Sequence, residues 1–149
     1  MRIDTGGQRP TIGQWTGGRR LRVLVVEDDG QLRRLIVARL RARGYDVVEA
    51  EDGVDLLGWM GSTMWTPGEA PLDAVVTDVN LPDMTALEVL SALRVRDAAI
   101  PIVLVTGITD AEVHREAYAL GASAILTKPF DLDELGTVLT GLTAHAASA

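Results

Sequence analysis

From residue 21 onward, short apolar runs alternate with stretches whose apolar residues recur every three to four positions. Residues 21–26 form an almost wholly apolar run, as expected of a strand covered on both faces. Leu32, Leu35, Ile36 and Leu40 then share one helical stripe, which ends in Arg39, Arg41 and Arg43 before Gly44. Cations at the negative end of the helix dipole and a glycine just past it mark a stop. Further strands are predicted at 46–50, 74–78, 102–106 and 124–127. Between them the spacing predicts a short helix at 54–60 and others carrying Leu87, Leu90 and Leu93, and Val113, Ala117 and Leu120 before Gly121. A closing helix carries Leu132, Leu135, Leu139 and Leu142. Five strands alternating with helices predict a parallel, doubly wound α/β domain with helices on both faces.

Two stretches break this rhythm. Residues 1–20 are rich in Gly, Arg and Thr without an apolar period, and read as a flexible tail. Residues 61–71 form a long connection carrying Met64 and Trp65. It reads as a surface loop whose Trp folds back on the core, with a partner-contact patch as the alternative. The domain is therefore expected over 21–143, with a small-residue tail over 144–149.

Composition narrows the chemistry. There is no cysteine and only His114 and His145, which excludes disulfides, thiolate nucleophiles and multi-histidine metal sites. Any metal would be a hard cation held by oxygen. The net charge is −7; residues 1–20 carry +3, leaving −10 for the remainder, a poor match for direct nucleic-acid binding. No apolar run is long enough to span a membrane and no secretory leader pattern opens the chain, so a cytoplasmic protein is expected.

In an open parallel sheet, ligands gather at the carboxyl ends of the strands. Here the first strand ends in Glu27-Asp28-Asp29, the third in Asp78 and the fourth in Thr106, while Lys128-Pro129 follows the fifth. Lys128 is the only lysine, against thirteen arginines, which suggests a point-charge role. Asp29 reads as a helix cap. Clustered carboxylates repel, and a divalent cation or an ammonium among them relieves the repulsion. Mg²⁺ suits an oxygen-only site open to water and to a phosphate. A carboxylate beside Mg²⁺ and Lys⁺ can attack phosphorus to give an aspartyl phosphate, with Thr106 donating to a phosphoryl oxygen.

These segments resemble the receiver domains of two-component response regulators. The likeness rests on Val25-Val26-Glu27-Asp28-Asp29, Val76-Thr77-Asp78-Val79-Asn80-Leu81-Pro82, Pro101-Ile102-Val103-Leu104-Val105-Thr106-Gly107 and Gly121-Ala122-Ser123-Ala124-Ile125-Leu126-Thr127-Lys128-Pro129-Phe130. It covers residues 21–142. The resemblance implies a flavodoxin-like (βα)5 three-layer sandwich with strand order 2-1-3-4-5. It implies Asp78 as phosphoacceptor, Glu27 and Asp28 as the acidic pair for Mg²⁺, and the Asn80 backbone carbonyl completing the metal site. Thr106 matches the switch hydroxyl, Lys128 the phosphate-contacting lysine, and Lys128-Pro129 a cis peptide. The phosphoryl donor implied is a sensor histidine kinase or histidine phosphotransfer protein. Such a chain is no enzyme in the ordinary sense, catalysing only its own phosphorylation and dephosphorylation. The implied readout is a downstream output protein or an output domain outside this sequence, with homodimerisation on phosphorylation as in many relatives.

Three departures from the family pattern stand out. Ile125 occupies a place where many receivers carry Tyr or Phe, Thr85-Ala86 stands where Asp-Gly is common, and the Trp65 connection is long. After Leu142 no output domain is expected, which makes the chain a single-domain regulator or a piece of a longer one. Two other readings fit parts of the pattern. A phosphohydrolase of the haloacid-dehalogenase type would need an acid at the position of Asn80 and a cap domain. A receiver fold kept only for binding would not need the acceptor residues.

Overall fold

A computed structural model describes residues 15–16, 19–59, 71–96 and 99–148. Five strands form one parallel sheet: β1 (Arg22–Val26), β2 (Asp46–Ala50), β3 (Ala74–Asp78), β4 (Ile102–Thr106) and β5 (Ala124–Thr127). Their order across the sheet is β2-β1-β3-β4-β5, as expected. The helices are α1 (Gly30–Ala42), α2 (Gly53–Gly58), α3 (Ala86–Arg96), α4 (Ala111–Ala119) and α5 (Leu132–Ser148).

Successive side chains of a strand point to opposite faces, so each apolar strand supplies two cores. Leu24, Val26, Val75, Ile102 and Leu104 face one way and pack with Leu56 of α2, Val89, Leu90 and Leu93 of α3, and Ala117 of α4. Val23, Val25, Val76, Val103 and Val105 face the other way, against Ile36, Val37 and Leu40 of α1 and Leu135 and Leu139 of α5. The outcome is a three-layer sandwich with the sheet buried in its middle.

The helical stripes shift from their expected residues. Leu35 is half exposed and Val37 is buried in its place. In α3, Val89 turns inward while Leu87 is partly exposed; Ala117 of α4 is buried while Val113, and Leu120 just past the helix, are partly exposed. A helix lying on a flat, twisted sheet buries a narrow stripe, and sequence spacing alone leaves its rotation undetermined by one residue. Gly44 and Gly121 follow α1 and α4 with φ of 100° and 110°, the left-handed stop that only glycine adopts at little cost.

Both expected tails carry structure. Trp15–Thr16 pairs with Arg19–Arg20 in a two-residue antiparallel ribbon. The Arg19 guanidinium donates to both oxygens of Asp73 at 2.9 and 3.1 Å, tying the ribbon to the residue before β3. At the other end, α5 runs through the expected tail to Ser148. Thr143 is fully buried, within 3.0 Å of the Tyr45 hydroxyl, and donates to the Leu139 carbonyl at 2.8 Å. Residues 1–14 and the Met64–Trp65 connection lie outside the described residues.

Thr143→Ala leaves the buried Tyr45 hydroxyl without its nearest partner. A loss of about 1–2 kcal/mol is expected, read as a lower urea midpoint at unchanged m-value. An unchanged midpoint would show that the seam between α5 and Tyr45 contributes nothing.

Candidate functional site at the carboxyl rim of the sheet

Strand register assembles the rim. Val26 pairs with Thr77, so the next residues, Glu27 and Asp78, are level on adjacent strands. Asp78 in turn pairs with Val105, and Thr106 with Thr127, which places Thr106 one step and Lys128 two steps further along the same edge. Two strand spacings separate β3 from β5, roughly 10 Å. A long, flexible side chain on β5 is needed to return across that gap, and lysine has one.

The Lys128 ammonium makes the return. It donates to Asp78 Oδ2 at 3.0 Å and to Glu27 Oε1 at 3.1 Å. Its own backbone N–H donates to the Thr106 carbonyl at 2.6 Å, closing the β4 and β5 ends together. The Lys128–Pro129 peptide is cis, as the resemblance implies. Glu27 and Asp78 are 1% and 5% exposed, so their charges are largely removed from water. Asp28 beside them is exposed.

Each acid has a further local partner. The Asp29 N–H donates to Glu27 Oε2 at 3.1 Å, and the Asn80 N–H to Asp78 Oδ1 at 2.9 Å. Asp29 also caps α1, accepting from the N–H groups of Gln31 and Leu32, as its place predicts. Thr106 is buried, and its Oγ1 accepts from the Ile108 N–H at 2.9 Å, which leaves its own proton free to be donated.

Carboxylate oxygens of Glu27, Asp28 and Asp78 all lie within 4.8 Å of one another. Three hard oxygen donors that close, facing one ammonium, suit a divalent cation with open positions for water and a phosphate. Burial pushes the Glu27 carboxyl up to about 7, with the Asp78 charge adding, against the opposing Asp29 N–H and Lys128. For Lys128, burial pulls downward, but the hydrogen bonds to Asp78 and Glu27 outweigh it and hold the ammonium above its ordinary range. The rim thus stores an excess of negative charge that a cation would relieve.

Sequence reasoning missed several residues around this rim. Arg33 on α1 donates to the Glu27 carbonyl at 2.7 Å and pairs with Glu49 at 3.1 Å, bracing the end of β1 against β2. Thr85 and Glu88 exchange hydrogen bonds, each side chain accepting from the other's backbone N–H at 3.2 and 2.9 Å. This capping box explains why Thr85-Ala86 starts α3 without a glycine, and its T-x-x-E spacing is visible in the sequence. Ile125 is partly buried and lines a cavity of about 280 Å³ together with Thr106, His114 and Ala117.

The raised Glu27 carboxyl has a thermodynamic consequence. A carboxyl whose folded pKa of about 7 exceeds its ordinary 4.5 favours folding while protonated, and that contribution fades as pH rises from about 4.5 to 7. Without divalent cation, the Tm difference between Glu27→Gln and the wild type is expected to move in favour of the variant across that window. Thermal melts in chelator at stepped pH check this; a difference that stays flat with pH would contradict it.

The sequence profile of the response regulator receiver domain matches residues 23–140. KdpE of Mycobacterium tuberculosis, named a transcriptional regulatory protein, is 36% identical over 112 residues, covering 75% of this chain and 46% of that protein. CtrA of Caulobacter vibrioides, named a cell cycle transcriptional regulator, is 34% identical over 118 residues, 77% of this chain and 47% of that one. The chain thus spans about half the length of the curated relatives it matches. Among solved structures, the chemotaxis response regulator CheY4 of Vibrio cholerae superposes with a TM-score of 0.72 at 31% identity, covering 82% of this chain and 98% of that one. The Francisella response regulator 1452 receiver domain gives 0.75 at 25% identity, covering 85% and 99%. Among the described residues, no helix is long and apolar enough to cross a membrane. With a parallel sheet in this order and these acids and this lysine on its rim, the chain belongs to the receiver-domain family of two-component response regulators.

Proposed function

We propose that this chain accepts a phosphoryl group on Asp78 and relays that event to a partner. The observation that carries the reading is the Lys128 ammonium bridging Glu27 and Asp78, beside a third carboxylate from Asp28. A carboxylate held on a strand end, with one oxygen on Asn80 N–H and the other on Lys128, is buried yet fixed in direction toward a phosphate approaching the rim. The donor is a phosphohistidine of a sensor histidine kinase or a histidine phosphotransfer protein. An Asp78 oxygen forms the P–O bond as the P–N bond breaks, and the imidazole leaves with the electron pair and takes up a proton.

The residues of the chain share out the developing charge. Lys128 exchanges one of its carboxylate contacts for a phosphoryl oxygen, and Thr106 donates its hydroxyl proton to another. Glu27, Asp28, Asp78 and the Asn80 backbone carbonyl would hold Mg²⁺, which neutralises charge on the transferring group. The same residues support slow hydrolysis of the acyl phosphate, which is self-directed chemistry without turnover of a free substrate. The output is a separate protein or a further domain of a longer chain. The acidic charge of the chain supports a protein partner over nucleic acid for these residues themselves.

Incubation with Mg²⁺ and acetyl phosphate is expected to add the mass of one phosphoryl group, and Asp78→Asn to abolish the addition. An unmodified wild type under these conditions leaves the binding-only reading. Sustained phosphate release from ordinary phosphomonoesters leaves the hydrolase reading. Lys128→Ala is expected to slow labelling about a hundredfold, the scale of losing one charge-stabilising donor. Stopped-flow or timed mass spectrometry measures that rate, and a change under threefold would remove Lys128 from the chemistry.

A further inference from the structure

The loop that leaves the acceptor strand is fastened to a helix on the far side of the rim. After Asp78, Val79 and Leu81 turn inward and are buried. Leu81 and Met84 then form an antiparallel bridge, so Pro82 and Asp83 sit at the tip of a tight turn. The Asp83 carboxylate reaches the first turn of α2, where Oδ1 accepts from the Gly53 N–H at 2.7 Å and Oδ2 from the Val54 N–H at 3.1 Å. Both oxygens are used, each by a backbone donor that α2 cannot satisfy internally. Hydrogen bonds to an ionised acceptor are about twice as strong as neutral ones.

Gly53 is the counterpart of this clasp. A Cβ there would stand 2.3 Å from the Met84 sulfur and 2.9 Å from Asp83 Oδ1. A side chain at 53 would have to displace the Met84 thioether and press on the Asp83 carboxylate, so glycine lets the turn lie this close to the helix start. The loop is therefore held at three places: at Asp78 by the Asn80 N–H, in the core by Val79 and Leu81, and on α2 by Asp83. Asn80 lies between the first and the last of them.

We infer that Asp83 is a positioning residue for the proposed cation site, holding the loop so that Asn80 keeps its hydrogen bond to Asp78, next to Glu27 and Asp28. The inference rests on the phosphoacceptor reading for its role, but not for its test. Asp83 touches none of the reacting atoms. It acts through the loop, as groups that orient a metal's ligands do, and such groups are worth roughly tenfold or more in metal affinity.

Mg²⁺ titration of the full chain by calorimetry tests this, with Asp83→Ala, Asp83→Asn, Gly53→Ala and, as a control for loosened structure, Thr143→Ala. Asp83→Ala is expected to raise the Mg²⁺ Kd roughly tenfold and to expose the Gly53 and Val54 amides to hydrogen exchange. Asp83→Asn keeps one carbonyl acceptor and is expected to recover part of the loss; Gly53→Ala is expected to weaken binding with Asp83 still present. Thr143→Ala is expected to lower the Tm while its Kd stays within twofold of wild type. Labelling by acetyl phosphate in Asp83→Ala is expected to be slow at low Mg²⁺ and to recover at saturating Mg²⁺.

A Kd for Asp83→Ala within twofold of wild type overturns the inference, as does an equal shift in Thr143→Ala or a wild type that binds no Mg²⁺. Should Asp83→Ala not fold, an unchanged Kd in both Asp83→Asn and Gly53→Ala overturns it equally. A wild type that binds Mg²⁺ but takes no phosphoryl group on Asp78 refutes the functional reading alone, and the Kd comparison still decides the place of Asp83.

Discussion

Glu27 and Asp78 end adjacent parallel strands with almost no access to water, and the Lys128 ammonium between them keeps that arrangement from flying apart. Two buried carboxylates at neighbouring strand ends repel strongly in a low-dielectric surround. A guanidinium would meet them with a planar fork, whereas an ammonium presents a compact charge that can shift from one oxygen to another. Much of the rim depends on that shift being possible. The Asn80 and Asp29 N–H groups hold the other carboxylate oxygens, so the direction of both acids does not depend on Lys128 alone.

Around this pair, side chains anchor the loops at the carboxyl edge. Arg33 braces the end of β1 from α1, and the Thr85–Glu88 capping box fixes where α3 begins. Asp83 fastens the intervening turn to α2. The first two anchors are local, at the β1–α1 and β3–α3 connections, whereas Asp83 reaches a helix start thirty positions earlier. Loops at such an edge carry the chemistry of open α/β sheets, yet they lack the continuous ladder that stiffens strands. Side-chain hydrogen bonds to backbone donors supply the missing rigidity.

Ile125 gives the far side of the rim a different character. It lines an open cavity next to Thr106, His114 and α4, and the His114 ring lies 2.6 Å from the Ile108 carbonyl. A movement of the Thr106 hydroxyl toward a phosphoryl group would leave its contact with the Ile108 N–H. The loop after β4, held at Ile108 by both Thr106 and His114, is the segment placed to feel that change.

Much of this was legible in the chain itself, because its causes are local. Alternation of apolar runs with helical periods specifies strands and helices, and a sheet covered on both faces demands the near-continuous valine and leucine runs seen in β1, β3 and β4. Acids, a hydroxyl and a lone lysine just past four strand ends could be placed on one rim without coordinates, since parallel strands bring their carboxyl ends together. Tertiary structure alone decided the rest. Helix rotation exchanged Leu35 for Val37 because burial depends on the sheet beneath, and α5 ran on to Ser148 because Thr143 meets Tyr45, 98 positions earlier. Asp83 looked like any turn residue until the fold set it against Gly53, thirty positions away. Contacts across such separations leave no periodic trace in a sequence, whereas the hydrophobic effect writes its period into every turn and strand.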